Sequence, residues 1–495
     1  MNNETLSEKP RQNKFMAWVD RYFHISERGG KVYKELIGGV VIFLAMFYIL
    51  IVNSNQLSGL NNPGVEEALL FGETFIKKTD LWAAVFVATA VSGAFTTIFM
   101  GVFGKLPIGL ASGMGINSMV GSLIIFKGAD MAGFSFAQAM ACVLVGGILF
   151  LVISLTPLRR MIVNSIPKSL KLAISAGIGF FIAFIGVQNA GLVVYSPFTC
   201  TTLGDLSKPS VYVAIIGIFL VIALSSLPKN NKITVWVSRL SVIISMVVMA
   251  LICGTLGEFG IEGFSPFYSS SFHLSQVSQF GKIFGSCFKG FDAFLNPRAY
   301  ALVFTLLFLD FFDTTGTLLG VEQNAGMVDD EGKVTINDKN AMIVDAVGTC
   351  VGAVCGTSTV TSFVESTTGV AAGAKTGLAA LTTGVLFSLS ILIYPILSCF
   401  TSSAVTSLAL VYVGICMFKN VSKLEWEDHI SVAAGFVTIF MMICCYSISD
   451  GIAWGFATYT IATLASNRFK KKDIPVAVIS VLFVTLYIVK IVGKL

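Results

Sequence analysis

Two acidic residues lie inside a segment that is otherwise apolar enough to cross a membrane. Asp310 and Asp313 fall within LFLDFFDTTGTLLGV, residues 307–321. On insertion scales, an aspartate at the centre of a spanning helix costs roughly 2.5–3.5 kcal/mol. A chain keeps two such residues close together when it uses them or supplies partners for them. Carboxyl groups at membrane depth are typical of proteins that handle protons, cations or solutes with N–H groups.

A third acidic residue, Glu365, lies in the Gly/Ser/Thr-rich run CGTSTVTSFVESTTGVAAG (355–373). The first half of the chain contains a similar run, GLASGMGINSMVG, which carries Asn117. Gly, Ser and Thr in series favour broken helices, and a bilayer tolerates unwound backbone only where it is buried or lines a cavity. Corresponding interrupted segments in two halves predict a binding site. Alternatively, each run is a small-residue surface for helix packing.

The chemistry of these side chains suggests two roles. An ionised carboxylate accepts N–H hydrogen bonds from a planar heterocycle, and a desolvated carboxyl group can carry a proton. Asp310 and Asp313 lie on nearby faces of one helix, where two carboxyl groups seldom both ionise. Asp313 is followed directly by the polar run TTGT and is the first candidate for a proton site, with Thr317 one helical turn away. Glu365 and Asp310 are the other candidates for proton coupling, although Asp310 could instead make a structural bond.

Other residues are weaker candidates. Phe312 and Phe363 adjoin the acidic residues and are candidate walls of a binding site, although ordinary packing would also explain them. Asp345 and Asp450 are predicted to cap helices. All three histidines lie in tails, links or span edges, which argues against a buried imidazole relay: His24, His273 and His429.

The composition defines the class of protein. Of 495 residues, 55% are hydrophobic and only 12% are charged, whereas a soluble protein carries about 25% charged residues. The apolar runs are continuous rather than alternating, which predicts an all-α polytopic membrane protein and not a β-barrel. The ten cysteines show no metal-ligand spacing, and no cofactor is expected. No surface pattern of basic and aromatic residues indicates nucleic-acid binding, and no cleavable signal segment is apparent.

Apolar segments occur in two sets separated by a polar connection at 258–298. We therefore predict an N-terminal tail (1–34), a first membrane repeat (35–257), the connecting loop (258–298) and a second repeat (299–495). The segment 474–492 is an apolar run beyond seven per half, so it is either an additional helix or shows that 429–466 contains a half-span. Seven spans per half would give inverted repeats, with sites near the midplane.

Basic residues concentrate in the N-terminal tail and in alternate links. By the positive-inside rule, these segments and the N-terminus are cytoplasmic. The link residues that carry this argument are Arg159, Arg160, Lys168, Lys171, Lys229, Lys232 and Arg468–Lys472.

Several long motifs resemble the AzgA-type purine permeases of the nucleobase/ascorbate transporter superfamily. They include IPKSLKLAISAGIGFFIAFIGVQNAGLVV (166–194), FLDFFDTTGTLLGV (308–321) and GTSTVTSFVESTTGVAAGAKTGLAA (356–380). GGVVIFLAMFYILIVN (38–53), GLASGMGINS (109–118) and SISDGIAWGFATY (447–459) match as well. The similarity runs over nearly the whole chain.

The resemblance implies about fourteen transmembrane segments in two inverted seven-segment repeats, arranged as core and gate domains. It implies proton-coupled uptake of hypoxanthine, guanine or adenine, and a homodimer. By motif, Asp313, Glu365 and Asn117 match the acidic or polar positions of the eighth, tenth and third segments, and the resemblance therefore implies that they bind the substrate.

Two alternative functions are compatible with this fold. The protein could transport another nucleobase, uracil or xanthine, or it could be an anion exchanger. Buried carboxyl groups argue against an anion site, which favours Arg, Lys or helix N-termini. A membrane enzyme is disfavoured because neither a metal cluster, nor a nucleophile–base set, nor a phosphate loop is present in the sequence.

Overall fold

The computed structural model describes residues 14–59, 66–127, 133–156, 166–228, 230–261, 263–264, 274–326, 338–397 and 402–493. Arg159, Arg160, Lys229 and His273 lie outside these residues, as do the side chains of Phe312 and Lys232.

The first half of the described chain is mainly helical. Its helices are α1 (Lys14–Phe23), α2 (Val32–Met46), α3 (Ile49–Ser58), α4 (Lys78–Phe99), α5 (Met114–Leu123), α6 (Phe136–Leu155), α7 (Lys168–Asn189), α8 (Pro209–Ser225), α9 (Lys232–Arg239) and α10 (Ser241–Glu258). Its strands are β1 (Glu67–Phe71), β2 (Thr74–Lys77), β3 (Leu110–Ser112), β4 (Val193–Ser196) and β5 (Cys200–Leu203).

The connecting loop contains short helical turns between Leu274 and Leu295. The second half then comprises α11 (Pro297–Asn324), α12 (Asp338–Cys355), β6 (Val360–Ser362), α13 (Ser366–Ala372), α14 (Gly377–Leu397), α15 (Ser403–Phe418), α16 (His429–Cys444), α17 (Ile448–Ala465) and α18 (Ile474–Gly493). Helices α16 and α17 pack as a hairpin, and α18, which contains the apolar run 474–492, packs on α17.

The lengths and apolar surfaces of these helices confirm a helical polytopic membrane protein. Among the described residues, six helices are long and apolar enough to cross a membrane: Val32–Ser58, Lys78–Gly104, Phe136–Leu155, Lys168–Asn189, Pro297–Glu322 and Ser403–Lys423. Four shorter apolar helices accompany them, at Pro209–Ser225, Ile244–Glu258, Gly377–Leu392 and His429–Cys444. Helix α2 begins at Val32, slightly inside the predicted N-terminal tail.

The helices pack in two groups. Helices α2–α6 and α11–α14 pack mainly on one another and form the core group, while α7–α10 and α15–α18 form the gate group. Contact between the groups is made chiefly where α11 meets α7 and α17. Each group takes helices from both halves of the chain. The division into repeats at 258–298 stays a prediction.

Two interrupted segments cross in the core group. Strands β3 and β6 pair antiparallel, with Leu110 opposite Ser362 and Ser112 opposite Val360. The backbone ladder extends past the strands, because Gly113 N donates to Thr359 O (3.1 Å) and Phe363 N donates to Gly109 O (3.0 Å). This pairing satisfies backbone groups that the broken helices leave open, as an apolar environment requires.

Local sequence signals define several helix ends. Helix α6 begins with a capping box, in which Ser135 Oγ accepts from Gln138 N and Gln138 Oε1 accepts from Ser135 N. Asp428 caps α16, accepting from Ser431 N (3.1 Å) and Ser431 Oγ (2.7 Å). These hydrogen bonds from Ser431 lower the pKa of Asp428 because they stabilise its ionised form.

Both aspartates predicted as helix caps occupy other positions. Asp345 lies well inside α12, which begins at Asp338, so the cap prediction is wrong. The prediction took the start of an apolar run as the start of the helix. Ser447 is the N-cap of α17, whereas Asp450 lies in its first turn and accepts a hydrogen bond from Tyr487 Oη (2.6 Å).

The N-terminal segment is tied to the core group through buried polar contacts. Arg28 Nη1 donates to the carbonyl oxygens of Lys105 (2.6 Å) and Lys375 (3.2 Å). Glu35 is fully buried, and its carboxylate accepts from the backbone N–H groups of Lys375 (2.9 Å) and Thr376 (3.0 Å). Glu35 of α2 therefore fixes the two residues that precede α14.

Glycines allow the helical turn after α4 (Met100–Gly104) to approach the start of α14 closely. A Cβ added to Gly377 would lie 2.0 Å from Gly101 O, and one added to Gly101 would lie 2.5 Å from Gly377 O. Backbone contact of this kind is typical of helix packing in membranes.

We predict that Gly377→Ala destabilises the core group by about 1–3 kcal/mol, the usual cost of overpacking. The purified variant should show a lower Tm in detergent and a lower level in the membrane. Gly281→Ala is the matched control, because no atom lies within 4 Å of the added Cβ. An unchanged Tm for Gly377→Ala would contradict the close helix contact.

Candidate functional site

The crossing of β3 and β6 brings both interrupted segments close to α11. Gly113 ends the β3 segment, and a Cβ at this position would lie 3.0 Å from Thr361 Cγ2 and 3.8 Å from Asp313 Oδ2. A glycine here thus brings the backbone of one half near an acidic side chain of the other.

An open cavity of about 400 Å³, including the solvent at its mouth, lies beside this crossing. Helix α7 of the gate group supplies one wall, and α11 with the β6–α13 segment supplies the other. The lining residues are Gly113, Ile178, Phe181, Ile182, Asp313, Thr317, Thr361, Ser362, Phe363, Val364 and Glu365. Most of the wall surface is apolar, and a few polar side chains interrupt it, which is the usual lining of a small-molecule site.

Glu365 lies in the turn before α13 and is 1% exposed. Its Oε1 accepts a hydrogen bond of 2.7 Å from Tyr48 Oη. Tyr48 lies where the first spanning segment passes from α2 to α3, and it is buried. One carboxyl oxygen of Glu365 is therefore oriented by the first spanning segment.

Asp313 and Thr317 line the α11 side of the cavity, one helical turn apart. Asp313 is half-buried, and it is close enough to Glu365 for the two carboxyl groups to interact electrostatically. Among the described residues, Thr317 Oγ1 is buried without a hydrogen-bond partner. A hydroxyl group left open in this way is a natural contact for a bound polar solute.

Asp345 is the most heavily hydrogen-bonded acid near the cavity. Its Oδ1 accepts from Ser362 N (2.7 Å) and Ser362 Oγ (2.6 Å). Its Oδ2 accepts from Thr314 Oγ1 and, at 3.3 Å, from Thr361 Oγ1. Asp345 therefore holds strand β6 against α11, and it positions two residues of the cavity wall.

Asp310 lies deeper in the core group than Asp313 and does not line the cavity. It is 2% exposed, and its Oδ2 accepts from Thr349 Oγ1 at 2.6 Å. The two predicted acids of α11 therefore have different surroundings, although they are only three residues apart.

Asn117 belongs to a buried polar cluster behind the crossing rather than to the cavity wall. Its Oδ1 accepts from Ser112 Oγ (3.0 Å) and Ser358 Oγ. Asn53 Nδ2 enters the same cluster by donating to Thr357 Oγ1 at 2.7 Å, and Ser112 Oγ lies 3.3 Å from that oxygen. These contacts link α3 and α5 to the link before β6. A direct substrate contact by Asn117 stays a prediction.

Of the two predicted aromatic candidates, Phe363 lines the cavity and is buried. The side chain of Phe312 is outside the described residues. The opposing aromatic residue is Phe181 of α7, which the sequence did not single out because α7 carries several phenylalanines in a uniformly apolar pattern.

Sequence reasoning also missed Tyr48 and the positioning role of Asp345. Tyr48 interrupts a long apolar run with one hydroxyl group, which was the available signal. Its partner Glu365 is 317 positions away, and a single sequence gives no means of pairing them.

Carboxyl groups, an open hydroxyl group and apolar or aromatic walls suit a small planar solute with N–H donors. No Lys, Arg or His is among the described residues that line the cavity, so this wall offers no cationic side chain to an anion.

The fold, with its long apolar helices and a cavity between two helical groups, is that of a multi-pass membrane protein. The transmembrane domain of the cyanobacterial bicarbonate transporter BicA has the same fold, with a TM-score of 0.52 and 15% identity over 85% of this chain and 97% of that one. Residues 33–454 match the Permease family, and the chain belongs to it. It is a transporter and not an enzyme.

Two relatives match over nearly their full lengths. The guanine/hypoxanthine permease PbuO of Bacillus subtilis (strain 168) is 34% identical over 93% of this chain and 98% of its own. The adenine permease AdeQ of Escherichia coli (strain K12) is 32% identical over 98% of each chain.

We predict that Tyr48→Phe weakens the apparent affinity for the transported solute about 5- to 30-fold, because a hydrogen bond to a buried carboxyl group is worth about 1–2 kcal/mol. Saturation of uptake measures the change. Tyr33→Phe in the same spanning segment is the matched control, because Tyr33 is exposed. Equal affinities for Tyr48→Phe and the wild type would rule out an orienting role for Tyr48.

Proposed function

We propose that this protein takes up the purine nucleobases hypoxanthine, guanine and adenine in symport with protons, by alternating access. The observation that carries the proposal is the pair Asp313 and Glu365 in one cavity, on a wall that also presents an aromatic ring and an open hydroxyl group. The guanine/hypoxanthine and adenine permeases named above support a purine as the solute.

Each residue has a distinct role in this proposal. Glu365, oriented by Tyr48, accepts ring N–H groups of the purine, and Phe363 and Phe181 provide apolar walls for its faces. Asp313 is the proton site nearest the substrate, with Thr317 offering its hydroxyl group on the same helix. The core group moves against the gate group to expose the cavity to either side.

The alternative functions are less well supported. An anion exchanger of this fold would place negative charge beside Asp313 and Glu365, without a cationic side chain among the described lining residues. Uracil and xanthine remain as outcomes of the transport test. The cytoplasmic N-terminus and the homodimer stay predictions.

The first test is uptake of labelled hypoxanthine by cells that lack their own purine carriers, with and without a protonophore. We expect uptake that the protonophore abolishes and that unlabelled guanine or adenine, but not uracil, competes for. Absence of purine uptake by protein that reaches the membrane would refute the proposed solute.

The second test removes the carboxyl groups one at a time. Glu365→Gln and Asp313→Asn should each lower uptake at least about tenfold, since each removes an interaction with a buried ionisable group. Asp205→Asn is the control, because Asp205 is exposed on the link between β5 and α8. If both cavity variants reach the membrane and retain full uptake, the assigned site is wrong.

A further inference from the structure

Helices α11 and α12 are joined by two reciprocal pairs of aspartate and threonine. Asp310 accepts from Thr349 Oγ1 (2.6 Å), and Thr314 Oγ1 donates to Asp345. In each helix the threonine follows the aspartate by four residues, so both side chains project from one face. We call these four buried residues the Asp–Thr clasp: Asp310, Thr314, Asp345 and Thr349.

The two carboxyl groups of the clasp are hydrogen-bonded very unequally. Both oxygens of Asp345 accept bonds, and the donors are one backbone N–H group and three hydroxyl groups. Asp310 accepts one bond on Oδ2, and its Oδ1 is buried without a partner among the described residues.

The difference in hydrogen bonding indicates which of the two carboxyl groups is ionised. An ionised carboxylate is an acceptor only, and four donors stabilise that form. A buried carboxylate with one open oxygen would lack this compensation and would lie next to a second negative charge. The other titratable groups facing Asp310 are Asp345, Asp313 and the thiol of Cys350, and none of them is a cation.

We propose that Asp345 is the fixed carboxylate of the clasp and that Asp310 carries an exchangeable proton on Oδ1. The clasp is therefore a second proton-binding site, next to the cavity but outside it. Asp345 is a positioning residue and does not contact the substrate. This inference rests on the proposed function only where it concerns transport, since the protonation of Asp310 is a property of the protein itself.

The clasp is connected to the cavity through strand β6. Asp345 holds Thr361 and Ser362, which both line the cavity, and Glu365 follows them by only a few residues. When Asp310 releases its proton to the aqueous phase, a second negative charge forms beside Asp345. That charge raises the free energy of the arrangement in which Asp345 holds β6. Release of the proton therefore affects the part of the cavity wall that β6 forms.

Infrared difference spectroscopy of the purified protein in lipid nanodiscs at neutral pH tests the assignment. Asp310→Asn keeps an acceptor for Thr349, and we expect it to remove a carbonyl stretching band of a protonated carboxyl group. Thr349→Val removes the bond to the carbonyl oxygen and should shift that band to higher frequency. If neither variant changes the carbonyl region, Asp310 is ionised and the inference is wrong.

Transport by Asp310→Asn and by Asp345→Asn tests the coupling. Asp310→Asn should lose protonophore-sensitive accumulation of hypoxanthine but retain exchange of labelled for unlabelled hypoxanthine at equal concentrations. Asp345→Asn should lose both accumulation and exchange, because the amide NH₂ group is a donor and replaces an oxygen that accepts hydrogen bonds. Retention of gradient-driven accumulation by Asp310→Asn would overturn the coupling role. If the wild type transports no purine, the proposed function fails, whereas the infrared result still decides where the proton resides.

Discussion

The organisation of the site depends on one constraint, which is that backbone polar groups at membrane depth must be hydrogen-bonded within the protein. Two segments, 110–113 and 359–363, leave helical geometry in the middle of the core group, and each satisfies the other through the β3–β6 ladder. Because neither segment could stay unwound without its partner, the two halves of the chain are joined at the point where the cavity forms.

The same constraint explains why hydroxyl groups surround the crossing. Serine and threonine side chains there bond to carboxyl, amide or other hydroxyl groups, and Asp345 and Asn117 each accept from more than one of them. Small side chains allow close backbone approach, and their hydroxyl groups supply donors without adding charge. The acidic residues can therefore be buried in fixed orientations.

The sequence predicted the class of fold and the identity of the acids better than their surroundings. Asp310, Asp313 and Glu365 were identified because acidic side chains are rare inside apolar segments. The Gly/Ser/Thr-rich runs identified the segments that cross. The partners could not be predicted, because Glu365 meets Tyr48, and Asp310 meets Thr349, on other helices. For Asp345, local pattern suggested a helix cap, whereas its bonds to Ser362 depend on how β6 folds back on α12.

In the proposed function, electrostatics relates solute binding to proton binding. Asp313 and Glu365 interact electrostatically on one wall of the cavity, and no cation lies among the described lining residues. Two bare carboxylates would repel each other in such a place, so a proton on one and N–H donors against the other lower the free energy together. In the proposed function, the mutual repulsion returns once solute and proton have left. Joint binding of the two ligands is then favoured, which is the property that a symporter needs and that a cavity with a compensating lysine or arginine would lack.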